Sequence, residues 1–165
     1  MALCVSPVVL CLSLCFCNFD RLLPVSTLPS GLPEEVGDDE DLARFLTQSG
    51  HYHRSQQRVR PGAFLPTSQD RATSVSRHGR EPVQSLKNLG LTAARQRRLH
   101  GAALFKAADV RNLGLNVKSD EPPVRHALIT GWPWPDSDME LRKAQHLEFA
   151  QQLASAAGPP MLFDP

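Results

Sequence analysis

Residues 126–160, "HALITGWPWPDSDMELRKAQHLEFAQQLASAAGPP", contain both periodicities that decide the fold. From His126 to Thr130 the chain alternates, with Ala127 and Ile129 on one face of an extended segment and His126, Leu128 and Thr130 on the other. From Ser137 the pattern becomes helical. Ser137 and Glu140 have the spacing of a capping box, in which each side chain satisfies a free backbone amide of the other residue. Asp138 and Arg142 are spaced for an i,i+4 ion pair, and Leu147, Ala150, Ala154 and Ala157 form a narrow apolar stripe. Gly158-Pro159-Pro160 then ends the helix as a left-handed glycine followed by proline does. A helix over about 138–157 follows, its small alanines implying close packing on a sheet. Between strand and helix, Trp132-Pro133 and Trp134-Pro135 read as a loop closing over the core.

Upstream the signals are shorter. In "DDEDLARFLTQSG", residues 38–50, acids precede Leu42, Phe45 and Leu46 at helical spacing and Gly50 stops the run, which predicts a short helix. Pro61-Gly62 forces a turn before Ala63-Phe64-Leu65, and Thr73 to Arg77, "TSVSR", alternates; both are at most short strands. Val83, Leu86 and Leu89 predict a short helix interrupted by Gly90. Ala102 to Ala107 fits a strand or a helical turn, while Leu115 and Val117 alternate as in a half-buried strand. Pro122 and Pro123 stiffen the entry to His126. These elements predict one small, loop-rich α+β domain over residues 38–158, with a few short strands and a packed C-terminal helix. Residues 20–37, rich in proline and glycine, read as a linker, and residues 159–165 as a tail.

The net charge of +1 averages unlike segments. Residues 20–50 carry seven acids and two bases, residues 51–100 two acids and ten bases, and residues 101–165 eight acids and six bases. The middle third is therefore a basic block, fit to meet phosphate, an acidic partner or the chain's own acidic segment. Its cations are mostly arginine, whose planar fork grips phosphate or carboxylate with two hydrogen bonds. Arg54, Arg58, Arg60, Arg77 and Arg80 are the candidate anion-binding residues. Few aromatics are interleaved with them, so weak binding to a nucleic-acid backbone is supported better than base stacking.

Residues 1–19 are apolar and uncharged, without the basic start of a secretory signal. They read as a poor signal, a membrane anchor or a start placed too far upstream, and membrane association is expected only if they are native. All four cysteines, Cys4, Cys11, Cys15 and Cys17, lie in this segment, so nothing after them can form an internal disulfide. That suits a reducing compartment, and the expectation is a cytoplasmic protein, with a membrane-anchored or exported one through residues 1–19 as the alternative.

No phosphate-binding loop, dinucleotide-binding glycine pattern, zinc-hydrolase His pair or nucleophile elbow occurs, and no cofactor, nucleotide cofactors included, is expected. Three features carry chemistry. His126 with Asp120 as orienter and Arg125 as anion holder has the makings of an acid–base site. His51 and His53, two apart, are weak candidates for a metal pair that lacks a third ligand. The arginines form the third. "RVRPGAFLP", "TSVSR", "ADVRNLGLNV" and "RHALITGWP", in that order, resemble a group of small bacterial proteins with no established activity, over roughly Asp41 to Ala157. That resemblance implies a domain boundary and no reaction. The leading expectation is an accessory or interaction protein with a basic central surface, taking a protein partner or a nucleic-acid backbone. The rival is a small enzyme on a phosphate-containing or nucleic-acid substrate, using His126.

Overall fold

The computed structural model describes residues 28–78, 83–135 and 138–163. Strand β1 (Asp41–Leu46) is followed by a short hairpin, β2 (Tyr52–His53) and β3 (Arg58–Val59), and then by β4 (Thr73–Arg77). Helix α1 (Val83–Ala94) leads to β5 (Gly101–Lys106), α2 (Ala107–Asn112), β6 (Asn116–Ser119) and β7 (His126–Thr130). The long helix α3 (Met139–Ala156) and the two-residue β8 (Met161–Leu162) complete a small single α+β domain. Six strands form one sheet in the order β6-β7-β4-β1-β5-β8, and each neighbouring pair is antiparallel. Among the described residues no helix is long and apolar enough to cross a membrane.

Residues 38–50, expected as a helix, are instead built around the central strand β1. Both faces of β1 are covered, so Leu42, Ala43, Phe45 and Leu46 are all buried and the alternation that marks a strand is lost. Leu42 and Leu46 join the larger core with Phe64, Ile129 and Leu153; Ala43 and Phe45 join a smaller one with Leu86 and Leu99. Each fully buried leucine contributes roughly 1.5–3 kcal/mol.

Ala63-Phe64-Leu65 is no strand. Pro61 starts a single 3-10 turn over Pro61–Ala63, closed by the Phe64 amide donating to the Pro61 carbonyl at 2.9 Å, which sets Phe64 edge-on against Phe105. Nor does Gly90 interrupt α1. It lies where the helix presses on β1, and a Cβ there would stand 2.8 Å from Leu99 Cδ2 and 2.9 Å from the Phe45 ring. Ala102 to Lys106 belong to strand β5, and Ala107 starts α2.

The strand at Thr73, the strand at His126 and the final helix lie as their patterns predict. In α3, Ala150, Leu153, Ala154 and Ala157 are buried, whereas Leu147 is 51% exposed. Ser137 lies outside the described residues; the observed N-cap is Asp138, whose carboxylate accepts from the Leu141 amide at 2.9 Å. Arg142 leaves Asp138 and lies over the ring of Trp134. Trp132 is buried and donates to the Ile129 carbonyl at 3.1 Å.

The antiparallel register has one consequence for chemistry. Leu42 opposite Arg77, Asp41 opposite Lys106 and Ser76 opposite His126 put the start of β1, the ends of β4 and β5 and the start of β7 at one end of the sheet. Leu46 opposite Gly101, Thr73 opposite Ile129 and Asn116 opposite Thr130 define the other end. The excursion 47–72 and the connections before β5 and after β7 all leave from that second end.

Candidate functional site

At the first end, Asp120, His126 and Ser76 succeed one another across β6, β7 and β4. The Asp120 amide donates to the His126 carbonyl at 3.0 Å, and Ser76 is the register partner of His126. His126 Nδ1 lies 3.0 Å from Asp120 Oδ2 and 3.1 Å from the Asp120 carbonyl, while its Nε2 makes no hydrogen bond to a described residue. The His126 side chain is 19% exposed and that of Asp120 52%. The fold thus brings the expected orienter to the expected base. Arg125, the expected anion holder, has φ +63° and gives Nη1 to the His78 carbonyl at 2.9 Å. Its amide donates to Glu121 at 2.8 Å. Burial would raise the Glu121 pKa, but this bond and those from Ser30 outweigh it and hold the carboxyl below its usual range.

Arg77, expected from the sequence to hold an anion, is fully buried and its fork is spent. It makes a bidentate pair with Glu40 at 2.6 and 2.7 Å and donates to the Pro33 carbonyl at 2.6 Å. Lys106 pairs with Asp41 at 2.6 Å and Arg111 pairs with Asp38, completing a set of internally matched charges. An open polar cleft of about 560 Å³ lies nearby between residues 34–38 and β6, with Glu34, Glu35, Arg111 and Lys118 in its wall. No expected site residue lines it.

The second end holds the remaining candidates. Arg54, Arg58 and Arg60 are exposed on and beside the β2–β3 hairpin, and Arg95, Arg97 and Arg98 are exposed in the connection before β5. The two segments meet where Tyr52 Oη lies 3.5 Å from His100 Nδ1, with ring centroids 5.6 Å apart. None of these six arginines has an ion pair with a described residue. Arg80 lies outside the described residues.

His51 ends a 3-10 turn, is buried, and hides an Nδ1 with no hydrogen-bond partner among the described residues. Burial first, then the charges of Arg44, Arg97 and His100, push its pKa down to about 4. Arg44 is held on the Ala63 and Ser74 carbonyls, both at 2.6 Å, and burial with Arg97 nearby lowers its pKa to about 10. His53 makes a 3.2 Å contact with Ser55 Oγ. The expected metal pair is thus one buried and one half-buried histidine, and among the described residues no group of three or more His, Cys, Asp or Glu could hold a metal ion.

The remaining feature of this end has no short-range signal in the sequence. Trp134, in the connection before α3, carries the guanidinium of Arg71 at 5.4 Å and that of Arg142 at 4.9 Å from its ring centroid. Its ring also packs 5.0 Å from that of His146. No family model, no curated protein and no solved structure matches the chain, so these contacts and distances are the whole basis for a functional reading.

Proposed function

We propose that the protein is a non-catalytic interaction protein, and more particularly an accessory factor that holds the phosphate backbone of a nucleic acid against the arginine-bearing end of its sheet. The observation that carries this reading is the Tyr52–His100 contact, which joins the segment bearing Arg54, Arg58 and Arg60 to the one bearing Arg95, Arg97 and Arg98, with no described carboxylate paired to any of these arginines. Unmatched surface cations of one sign raise the local concentration of a polyanion and release its counterions when it binds. With five or so phosphate contacts, affinity for duplex DNA falls by roughly 10²–10³ between about 50 and 200 mM salt. The triple substitution Arg54→Glu, Arg58→Glu, Arg60→Glu removes binding and leaves the melting temperature nearly unchanged. Absence of binding by the native chain at low salt, measured by fluorescence anisotropy, ends this reading.

A second reading has its own observation. The 3.0 Å contact from Asp120 to His126 Nδ1 leaves Nε2 as the site of proton exchange, which suits acid–base chemistry on a phosphate-containing substrate. His126→Gln and Asp120→Asn then abolish a turnover that the arginine triple mutant weakens only through KM; loss of both activity and folding in His126→Gln assigns the residue to the strand entry instead.

A further inference from the structure

We propose that Arg71, Trp134 and Arg142 form a clamp for a terminal phosphate group, the strand end of the nucleic acid whose backbone runs over the neighbouring arginines; this rests on the polyanion reading above. With both guanidinium centres over one indole ring, they stand no more than about 10 Å apart. Stacking orders an arginine without using its hydrogen bonds, because the cation rests on the ring while the N–H edge of the fork points outwards.

The forks are unspent. Arg77 serves a carboxylate, and Arg44 and Arg125 serve backbone carbonyls, but neither Arg71 nor Arg142 has a side-chain hydrogen bond or ion pair with a described residue. Three described carboxylates close by in sequence are otherwise engaged. Asp70 accepts from Thr67 Oγ1 at 3.0 Å, Asp138 caps α3, and Glu140 pairs with Lys143 at 2.8 Å.

The platform under them is fixed. Trp134 sits between two prolines and against His146, which is buried and anchored through Nε2 to the Pro133 carbonyl at 2.7 Å. Arg71 occupies the left-handed region at φ +50°, with its amide on the Thr67 carbonyl at 3.0 Å.

The chemistry of the ligand follows from the forks. One fork neutralises the single charge of a carboxylate, whereas two forks on one anion bring two positive charges and call for a doubly charged partner. A terminal phosphate has three free oxygens and close to two charges. Both cations lie over the indole, so the ring is offered as a support for arginine rather than a stacking surface for bases. Strand β7, which leads to Trp134, is separated from β1, which leads to the arginine hairpin, only by β4, a spacing of roughly 10 Å. A strand gripped by its end can therefore lay its backbone on Arg54, Arg58 and Arg60.

The test compares one oligonucleotide with and without a 5′-terminal phosphate against the full chain, with a parallel titration of inorganic phosphate at constant ionic strength followed by tryptophan emission. The phosphorylated strand is expected to bind roughly tenfold more tightly. Inorganic phosphate should give a saturable emission change that Trp134→Phe removes. Arg71→Lys and Arg142→Lys keep the charge and lose the fork; each should bring the phosphorylated and plain strands to nearly equal affinity. Equal binding of the two strands by the native chain overturns the clamp and leaves the polyanion surface standing. A phosphate response without binding of either strand does the reverse. The comparison on the native chain needs no substitution, so a variant that failed to fold would not blunt it.

Discussion

The two ends of the sheet treat their cations in opposite ways. At the start of β1, Arg77 is paired with Glu40, Lys106 with Asp41 and Arg111 with Asp38, and the His126 ring lies against Asp120. At the end of β1 the cations rest on carbonyls, as Arg44 does, on an indole, as Arg71 and Arg142 do, or on nothing described that carries a negative charge. The acids of residues 38–41 and the bases of residues 51–60 flank the same strand, so a single antiparallel crossing separates them by the length of β1. Matched charges at one end are spent on holding the fold. At the other end burial, and after it the charges nearby, lower the pKa values of His51 and Arg44.

The sharpest way to break this contrast is to unmatch the first end. Glu40→Ala leaves the fully buried Arg77 without its bidentate partner, and such a loss costs about 3–5 kcal/mol. Urea unfolding should show the midpoint dropping accordingly, with the slope unchanged. Glu40→Leu combined with Arg77→Met removes both charges and should recover most of the difference, because a buried pair is worth little beyond its apolar replacement. A drop below 1 kcal/mol in Glu40→Ala would mean that Arg77 reaches water or another acid.

At the second end the effect is smaller and depends on pH. The folded His51 pKa of about 4 lies below the ordinary histidine value of 6.5. Above pH 6.5 the ring is neutral in both states. Between 6.5 and about 4 only the unfolded chain takes the proton, so stability is lost as pH falls through that window and the loss levels off below it. Because nearby solvent screens part of the charge contribution, roughly 1–2 kcal/mol is expected instead of the full shift. His51→Gln should flatten this slope in thermal melts. Arg97→Gln should move the His51 midpoint upwards by NMR titration, and an unmoved midpoint would detach Arg97 from this cluster.

How far the sequence foretells these contrasts depends on the range of the interaction that makes them. The strand at His126 and the helix that follows are legible because one face of each is buried and the period survives in the residue pattern. β1 is not legible, because burial on both faces erases its alternation and leaves Leu42, Phe45 and Leu46 at a spacing that also suits a helix. Gly90 reads as a break because a close approach to Phe45 and Leu99, far away in sequence, leaves no local mark. The same limit applies to the sites. Asp120 and His126 are six residues apart and were found as a pair, whereas Glu40 and Arg77 are 37 apart, and nothing local distinguishes Arg77 from the exposed arginines. The Arg71 stack on Trp134 likewise depends on the end of β7 meeting the start of β4.

The smallest effect separates pairing as such from burial. Lys106 and Asp41 meet at 2.6 Å, much as Arg77 and Glu40 do, but their side chains are 49% and 38% exposed. In water the attraction is weakened by the solvent, and both long side chains lose freedom to hold one geometry, so such pairs are worth about 0–1 kcal/mol. Lys106 also donates to the Asp39 carbonyl at 3.0 Å, a bond that water replaces at little cost. Lys106→Met keeps most of the aliphatic stem and should therefore shift the urea midpoint by less than about 1 kcal/mol, with the difference fading at about 1 M salt. If instead Lys106→Met costs as much as Glu40→Ala and the loss persists in high salt, charge matching alone stabilises the first end, and the burial of Arg77 is incidental.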